Sequence, residues 1–364
     1  MKIKEITNHL ETIAPLSYQE SYDNAGLIVG DKNTEVTGVI VCLDSTEAII
    51  EEAIEKGCNL IVAHHPIVFG GLKKFTGKNY VERTVIKAIK NDIAIYAIHT
   101  NLDNVIAGVN GKIAEKLGLK NTKVLSPKKS MLKKLITYAP IDVKDKVLEA
   151  LFDAGAGHIG NYSECSYSSN GEGSYLANDN ATPYKGDSSK RHLESEVKIE
   201  VIYSKDKERS LVGSLIKAHP YEEVAYDLIS LTNVSEQIGA GLIGELSDEV
   251  DAIQFLKDLK LKMKTDCVRY TKPIGKKIQK VALCGGAGSF LLGDAIAQQA
   301  DIFITGDFKY HEFFDADNQL IIADNGHFES EQFTIELLVS LLKEKFTTFA
   351  VRLTEKETNP IHYL

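Results

Sequence analysis

The strongest constraint on the fold is a pattern near the N-terminus, in which short apolar runs alternate with segments of helical periodicity. Apolar runs at 36–43, 60–63 and 93–98 are separated by segments at 46–56 and 81–90, where apolar residues recur at helical spacing. Consecutive strands joined by helices run parallel to one another. The alternation therefore predicts a parallel β-sheet with helices on its faces.

Metal-ligating side chains follow two of these predicted strands. His64 and His65 come directly after the second run, and His99 and Asp103 follow the third. Ligands of such sheets gather outside the carboxyl ends of the strands. Pro66 favours an extended backbone at His65, and adjacent side chains of an extended chain point to opposite sides, which suits two neighbouring metal ions better than one. We interpret the pair as part of a dinuclear site; the alternative for any single histidine is a satisfied, partly buried imidazole.

A second group of such side chains occurs near the C-terminus. His327 and Glu331 follow an apolar run at 320–323 and lie four residues apart, so at a helix start they share one face. Both residue types are ordinary metal ligands. The alternative is a solvated helix start, which accounts for acids near the positive end of the helix but not for the histidine. The glycine-rich segment 285–288 is interpreted either as a phosphate-holding turn before a helix or as a plain tight turn.

The order of predicted strands and helices in the middle of the chain differs from that on either side and indicates an inserted domain. The order is a strand and helix, a long hairpin region, and then strand, helix and strand, which indicates a ferredoxin-like α+β insert at 126–238. Residues 1–125 together with 239–364 would then form the main domain. The sequence His219-Pro220-Tyr221-Glu222-Glu223 is interpreted as a tight helix-to-strand turn in preference to a metal site.

Composition narrows the functional classes. The chain has 364 residues and a net charge of −9, which argues against general binding of nucleic acid. Its five cysteines are dispersed, as expected in a reducing compartment. The N-terminus lacks the pattern of a signal peptide, and no run reaches the roughly 18 apolar residues of a membrane span. We expect a cytoplasmic protein that does not bind membranes.

Taken together, the motifs resemble one known family. The chain resembles, over nearly its whole length, the Nif-three-like dinuclear-metal proteins, which include the bacterial GTP cyclohydrolase I type 2 homologues. The insert resembles the PII- or CutA-like domain of the longer members. The resemblance rests on Asp23-Asn24-Ala25-Gly26-Leu27, His64-His65-Pro66, His99-Thr100-Asn101-Leu102-Asp103, Thr305-Gly306-Asp307 and Gly326-His327-Phe328-Glu329-Ser330-Glu331.

The resemblance implies a fold and a set of metal ligands. The fold would be α/β, with two related three-layer α/β halves forming one metal-binding domain and an inserted ferredoxin-like (PII/CutA-like) α+β domain. Two divalent metal ions per subunit, zinc or iron with manganese or nickel as alternatives, would be bound by His64, His65, Asp103, His327 and Glu331. A bridging Glu331 would give each ion three protein ligands. As a hypothesis, His64 and Asp103 serve one ion, and His65 and His327 the other.

The implied function is a metal-dependent hydrolase resembling GTP cyclohydrolase I type 2, in which metal-activated water attacks a purine nucleotide or related substrate. Glu331 and His99 are the candidates for catalytic roles, and His99 and His311 would line the site. The alternative is a non-catalytic hexameric metal-binding regulatory or scaffold protein with effector binding at the PII-like insert. In both cases the family implies a toroidal homohexamer. A third hypothesis, DNA binding through the central hole, is disfavoured by the net charge.

Overall fold

The computed structural model describes residues 1–188 and 190–364 and divides into two compact units. The main unit comprises Met1–Pro127 and Glu236–Leu364, and the inserted unit comprises Lys128–Ser235. The observed insert lies within the range 126–238 expected from the sequence. Among the described residues, no helix is both long enough and apolar enough to cross a bilayer.

The N-terminal part of the main unit alternates strands and helices, as its hydrophobic pattern indicates. Side chains of Thr46 and Asn79 cap two of the helices by accepting hydrogen bonds from backbone N–H groups of the first turn. The elements are α1 (Ile3–Ile13), β1 (Gly26–Val29), β2 (Val39–Cys42), α2 (Glu47–Glu55), β3 (Leu60–Ala63), α3 (Tyr80–Lys90), β4 (Ala94–Ala97), α4 (Thr100–Asp103), α5 (Val109–Leu117) and β5 (Lys120–Pro127).

The inserted unit is a four-stranded antiparallel sheet with two helices. Its elements are β6 (Leu132–Pro140), α6 (Lys144–Asp153), β7 (Ser166–Leu176), β8 (Arg191–Ser204), α7 (Glu208–Ala218) and β9 (Tyr226–Ser230). The strand order is β7-β8-β6-β9, so the first and third strands of the unit are neighbours at the centre of the sheet. This strand order, with its β-α-β-β-α-β succession, is that of a ferredoxin-like sheet. The two helices pack on the sheet through a core of their own, which includes Val147, Leu151, Leu211 and Leu215.

The C-terminal part of the main unit begins with a long strand and then alternates again. Its elements are β10 (Gly239–Val250), α8 (Ala252–Lys262), β11 (Arg269–Tyr270), β12 (Ile278–Ala287), α9 (Leu292–Ala297), β13 (Ile302–Gly306), β14 (Ile321–Asp324), α10 (His327–Glu331), α11 (Thr334–Lys345) and β15 (Val351–Leu353). Short 3-10 helices cover Leu16–Tyr18, Ile141–Val143, Lys205–Lys207, Ser289–Leu291 and Tyr310–Ala316.

Two sheets organise the main unit, and each has a parallel centre. The first has the order β1-β4-β3-β2-β15, with only β1 antiparallel to its neighbour. The second has the order β11-β14-β13-β12-β10-β5, in which β12, β13 and β14 are parallel. Strands β2, β3 and β4 are buried along their whole length, as expected of strands covered on both faces.

Alternate residues of these strands enter different cores, which gives each sheet helices on both faces. Val39 and Val41 belong to a core that also contains residues of the second sheet and of α1, α5, α8 and α11. Ile40 and Cys42 face the opposite side, where α2 and α3 pack. A third core covers the outer face of the second sheet with α9. The main unit is therefore built from two three-layer α/β halves that share one central core.

Three local predictions were incomplete or wrong. Helix α5 and strand β5 were not predicted, although Gly118, which is left-handed at the end of α5, was an available signal for a helix end. The stretch from Tyr167 to Tyr175 is polar and broken by glycines, so its pattern indicates no regular strand, although β7 pairs with β8 over eleven residues. The pattern from about residue 329 to 346 predicts one helix, whereas the structure has two, α10 and α11. Long-range strand pairing decides the state of β5 and β7, and a local pattern does not record it.

Candidate metal centre

The ends of strands from both halves meet at one place. His64 and His65 follow β3, and their backbone N–H groups continue the pairing with β2 by donating to the carbonyls of Cys42 and Leu43. Asp103 is the last residue of α4, which follows β4. His327 and Glu331 lie one turn apart on α10, directly after β14. The structure therefore brings together all five residues that the sequence predicted as ligands.

Glu331 lies at the centre of this group and faces two different pairs of side chains. Its Oε2 atom is 2.9 Å from Nε2 of His65 and 3.2 Å from Nε2 of His327. Its Oε1 atom is 3.7 Å from Nε2 of His64, which is in turn 3.6 Å from Oδ1 of Asp103. The pairing of ligands suggested as a hypothesis from the sequence corresponds to this division between the two carboxylate oxygens.

The Nδ1 atom of each histidine around the centre is hydrogen-bonded to an oxygen atom. Because a carbonyl or carboxylate only accepts hydrogen bonds, the Nδ1 atom donates in each case and Nε2 carries the lone pair that can bind a metal. This arrangement fixes the tautomer and the ring orientation. The four Nδ1 contacts are His64 to the carbonyl of Ile98 (2.8 Å), His65 to Oδ1 of Asp44 (2.8 Å), His327 to Oδ2 of Asp307 (2.7 Å) and His99 to Oδ1 of Asp23 (2.8 Å).

Two orphaned buried atoms show that these residues fit a metal. Nε2 of His64 and Oδ1 of Asp103 are both buried and have no hydrogen-bond partner among the described residues. Leaving such groups unsatisfied is costly, so native structures rarely do so without a reason. Ligand atoms about 2.1 Å from a shared ion lie roughly 3–4 Å apart. The separations among the Nε2 atoms, Asp103 and Glu331 run from 2.9 to 3.7 Å and match that range closely.

Charges within the group are strongly coupled. Burial opposes protonation of His65, but the carboxylates of Glu331 and Asp44 outweigh it and raise the pKa of His65 to about 10. The same balance, with Glu331 and Asp307, raises the pKa of His327 to about 11. Burial raises the pKa of Asp103 well above its usual range, and the Glu331 charge adds to this effect. Without a metal, protons therefore supply the positive charge that the carboxylates require.

His99 lies beside the centre, whereas His311 does not. The His99 ring centroid is 5.3 Å from that of His64 and 5.4 Å from that of His65, and its Nδ1 is anchored by the buried Asp23 side chain. The three histidines form a group that can hold a metal ion, as do His65, His327 and Glu331. The prediction that His311 lines the site was wrong, because its ring lies near Tyr310 and Phe314 and outside the residues that line the cavity at the centre.

Sequence reasoning missed the residues that support the ligands. The sequence Asp44-Ser45-Thr46 indicates a helix cap, and Asp23-Asn24 indicates a side-chain-capped turn in preference to a site role. Asp44 lies two residues after β2 and Asp307 comes directly after β13, so their position at the carboxyl ends of strands was an available signal. Gly286 was considered for a phosphate turn, but it lies at the end of β12 against Glu331, and its N–H donates to Oγ of Ser330 at 2.9 Å.

A cavity of about 550 Å³ opens onto the centre. Exposed aromatic side chains line it, namely Tyr22, Phe69, Tyr80 and Phe290. Five carboxylates also line it, namely Glu20, Asp44, Asp103, Asp307 and Glu331. Among the described residues, no lysine or arginine does so. The cavity is large enough for a small organic molecule and is acidic.

Comparison with known proteins identifies the family. The chain belongs to the Duf34/NIF3 (NGG1p interacting factor 3) family, whose model matches residues 1–360. A protein of Bacillus subtilis (strain 168) named GTP cyclohydrolase 1 type 2 homolog is 37% identical over 366 residues, covering 99% of this chain and 98% of the relative. A protein of the same name from Staphylococcus aureus (strain MW2) is 34% identical, with complete coverage of both chains. These matches confirm the resemblance drawn from the motifs.

Solved structures agree with this assignment. A Bacillus cereus protein related to NIF3 has a TM-score of 0.85 and 36% identity, covering 100% of this chain and 99% of that one. A Staphylococcus aureus protein has a TM-score of 0.78 and 30% identity with the same coverage. The main unit and the insert therefore occur together in related proteins of nearly the same length.

Proposed function

We propose that the protein is a metal-dependent hydrolase that holds two divalent ions at the centre described above. The observation that carries the proposal is the position of Glu331, whose two buried oxygens face separate pairs of ligand atoms. One pair is His64 and Asp103, and the other is His65 and His327. Nitrogen and oxygen ligands of this kind accommodate zinc or iron, as well as manganese or nickel.

Ions bound there would activate a water molecule and polarise the bond that it attacks. Other residues would position the ligands or transfer a proton. Asp44 and Asp307 hold the rings of His65 and His327 so that Nε2 points inward. Both oxygens of Glu331 face imidazoles, which leaves His99 as the group that moves a proton. The Asp23 carboxylate fixes the Nδ1–H of His99 and leaves its Nε2 to accept a proton from the reacting molecule.

The lining of the cavity supports a planar organic substrate. Its exposed aromatic rings suit a heteroaromatic base, and ring opening of a purine is the reaction suggested by the relatives' name. The carboxylates, however, would repel a triphosphate, since no lysine or arginine among the described residues lines the cavity. We therefore propose that a purine base or nucleoside is a better substrate than a nucleoside triphosphate.

Turnover by metal-loaded protein tests the proposal directly. Protein loaded separately with zinc, iron(II), manganese or nickel would be incubated with guanosine and with GTP. Loss of the purine and appearance of a ring-opened formamidopyrimidine, or of the dihydroneopterin formed from it by loss of formate and ring closure, would be followed. We expect turnover with guanosine to exceed that with GTP and to disappear in a Glu331→Gln variant. Equal rates in wild type and variant would eliminate the hydrolase assignment.

A second candidate function is supported by the separate core of the insert. In this alternative, the protein is a non-catalytic metal-binding homohexamer, and a PII/CutA-like insert binds an effector. The ferredoxin-like strand order of the insert favours this interpretation. An Asp103→Ala variant distinguishes the two functions, because a catalytic centre loses turnover, whereas a structural one loses metal while the assembly persists. Light scattering of wild type and variant measures the assembly, for which we propose a homohexamer.

A further inference from the structure

The main unit has a second cavity, which is separate from the metal centre and has the opposite chemistry. Its volume is about 650 Å³, within the range of roughly 300–1,000 Å³ usual for small-molecule sites. Four aromatic rings and two cationic side chains contribute to its lining, namely Tyr270, Tyr310, Phe313, Phe314, Arg269 and Lys272. It shares no lining residue with the acidic cavity.

Much of this aromatic surface is exposed. Tyr310 is 73% exposed and Phe314 is 67% exposed, although both are large apolar rings. Phe313 is partly buried and packs against Phe308, and the rings of Tyr310 and Phe314 contact each other edge to face, with their centroids 5.7 Å apart. Rings held in this way provide platforms on which a planar base can stack, at about 1–3 kcal/mol per base. The surface therefore suits a flat heteroaromatic group.

The two cations differ in how firmly they are held. The Arg269 guanidinium lies 5.5 Å from the Phe313 ring centroid, and its Nη2 donates to the Asp324 carboxylate and to the carbonyl of Phe308. Its Nε and Nη1 donors have no partner among the described residues. Lys272 is exposed and likewise has no ion-pair partner in the described part of the chain. A fixed guanidinium beside a mobile ammonium suits a phosphate group.

We propose that this cavity binds a mononucleotide, with the base stacked on Phe314 beside the nearly perpendicular ring of Tyr310, and the phosphate on Lys272 and the unpaired Nε and Nη1 donors of Arg269. The one acid in the lining, Asp317, is exposed and follows the 3-10 helix that carries the aromatic residues. The site is independent of the proposed hydrolase activity, since it contains none of the proposed metal ligands. Mononucleotide binding is therefore proposed for this second cavity and not for the acidic cavity at the metal centre.

Arg269 is unsuitable for the test because it also supports the metal centre. Its partner Asp324 accepts hydrogen bonds from the N–H groups of Phe308 (2.9 Å) and Gly326 (3.0 Å). Phe308 follows the Asp307 that holds His327, and Gly326 precedes His327 itself. A change at Arg269 would therefore disturb the loop that carries a metal ligand. Lys272 and Phe314 have exposed side chains and can be replaced without this effect.

Equilibrium dialysis of the full chain with radiolabelled GMP tests the site. Metal would first be removed with a chelator, so that phosphate cannot bind to ions at the other centre. We expect GMP to bind, and unlabelled guanosine and inorganic phosphate each to compete about tenfold or more weakly than GMP, because each lacks one of the two groups recognised. Lys272→Ala and Phe314→Ala should each weaken binding about tenfold. Lys276→Ala, an exposed lysine on the same connection outside the cavity lining, should not change it.

Several outcomes would overturn the assignment. It fails when metal-free protein does not bind GMP, or when Lys272→Ala and Phe314→Ala bind GMP as wild type does with their circular dichroism unchanged. Guanosine competing as well as GMP would remove the phosphate contact from the proposal. Tighter binding of a short single-stranded oligonucleotide, lost in the same two variants, would assign the cavity to nucleic acid instead of a mononucleotide.

Discussion

Nε2 of His64 and Oδ1 of Asp103 lie 3.6 Å apart, both buried, and neither has a hydrogen-bond partner among the described residues. A protein that folds with two such atoms facing each other carries a cost in its metal-free state. A shared cation would offset it. Binding of a metal by this pair should therefore increase the stability of the fold.

Asp103→Asn should have opposite effects with and without metal. In a chelator, we expect the variant to be more stable than wild type by roughly 1 kcal/mol, because it removes a buried acid whose pKa is raised by burial and by the Glu331 charge. With metal present, it should bind less metal and gain less stability from it. Urea denaturation and metal analysis measure the two effects. Asp315→Asn, at an exposed aspartate, is the matched control; equal metal content in wild type and Asp103→Asn would contradict the prediction.

Asp307→Ala should weaken metal binding although Asp307 is not one of the five proposed ligands. Its Oδ2 atom holds Nδ1 of His327 at 2.7 Å, and loss of such a contact usually lowers metal affinity about 10- to 100-fold. Competition with a chelator of known affinity gives the dissociation constant. Asp315→Ala provides the comparison, and an unchanged affinity in Asp307→Ala would show that the ring is held by its surroundings alone.

Gly286→Ala tests how closely the backbone approaches the centre. Gly286 has φ of +62°, and a Cβ atom there would lie 2.4 Å from Oε1 of Glu331. We expect the variant to lose metal affinity by at least roughly tenfold and stability by about 1–3 kcal/mol, from the strained backbone and the displaced carboxylate. Gly293→Ala in α9 is the control, because nothing lies within 4 Å of its added Cβ. Wild-type metal binding by Gly286→Ala would refute the close approach.

Asp23 should contribute to stability in a defined pH range. Burial opposes ionisation of Asp23, but hydrogen bonds from His99 and Thr100 outweigh it and lower the pKa of Asp23 to about 2, from 3.8. A carboxyl group with a lowered pKa stabilises the fold above its unfolded pKa. That contribution is lost as pH falls from about 4 through about 2. After allowance for solvent screening it amounts to about 1–2 kcal/mol.

The measurement compares wild type and Asp23→Asn by urea denaturation in a chelator from pH 7 to pH 2.5. The difference in unfolding free energy should be largest near neutrality and should shrink below pH 4. Asp315→Asn should show no such trend. A difference between wild type and Asp23→Asn that stays constant over this range would mean that the Asp23 charge does not stabilise the fold.

Local sequence signals predicted much of the main unit because its strands are short, apolar and fully buried. The run before His64 leaves little choice other than a buried strand, and the position of His64 and His65 after it predicted their place at the sheet edge. The spacing of His327 and Glu331 likewise predicted a shared helix face, which α10 provides. Strands β5 and β7 were missed because their states depend on partners far away in the chain.

The sequence by itself determined two separate groups of candidate ligands, since residue type, strand ends and helical spacing are local properties of the chain, and only the resemblance to the family implied that the two groups form one centre. Only the tertiary structure determined which of those side chains face each oxygen of Glu331. Glu331 comes to lie between the two pairs because α10, which packs against β12 and β13 of the second sheet, places it beside His64 and His65 at the end of β3 in the first sheet. Which ring each aspartate holds, and the existence of the second, cationic cavity, also depend on contacts between distant segments, and no local pattern specifies such contacts.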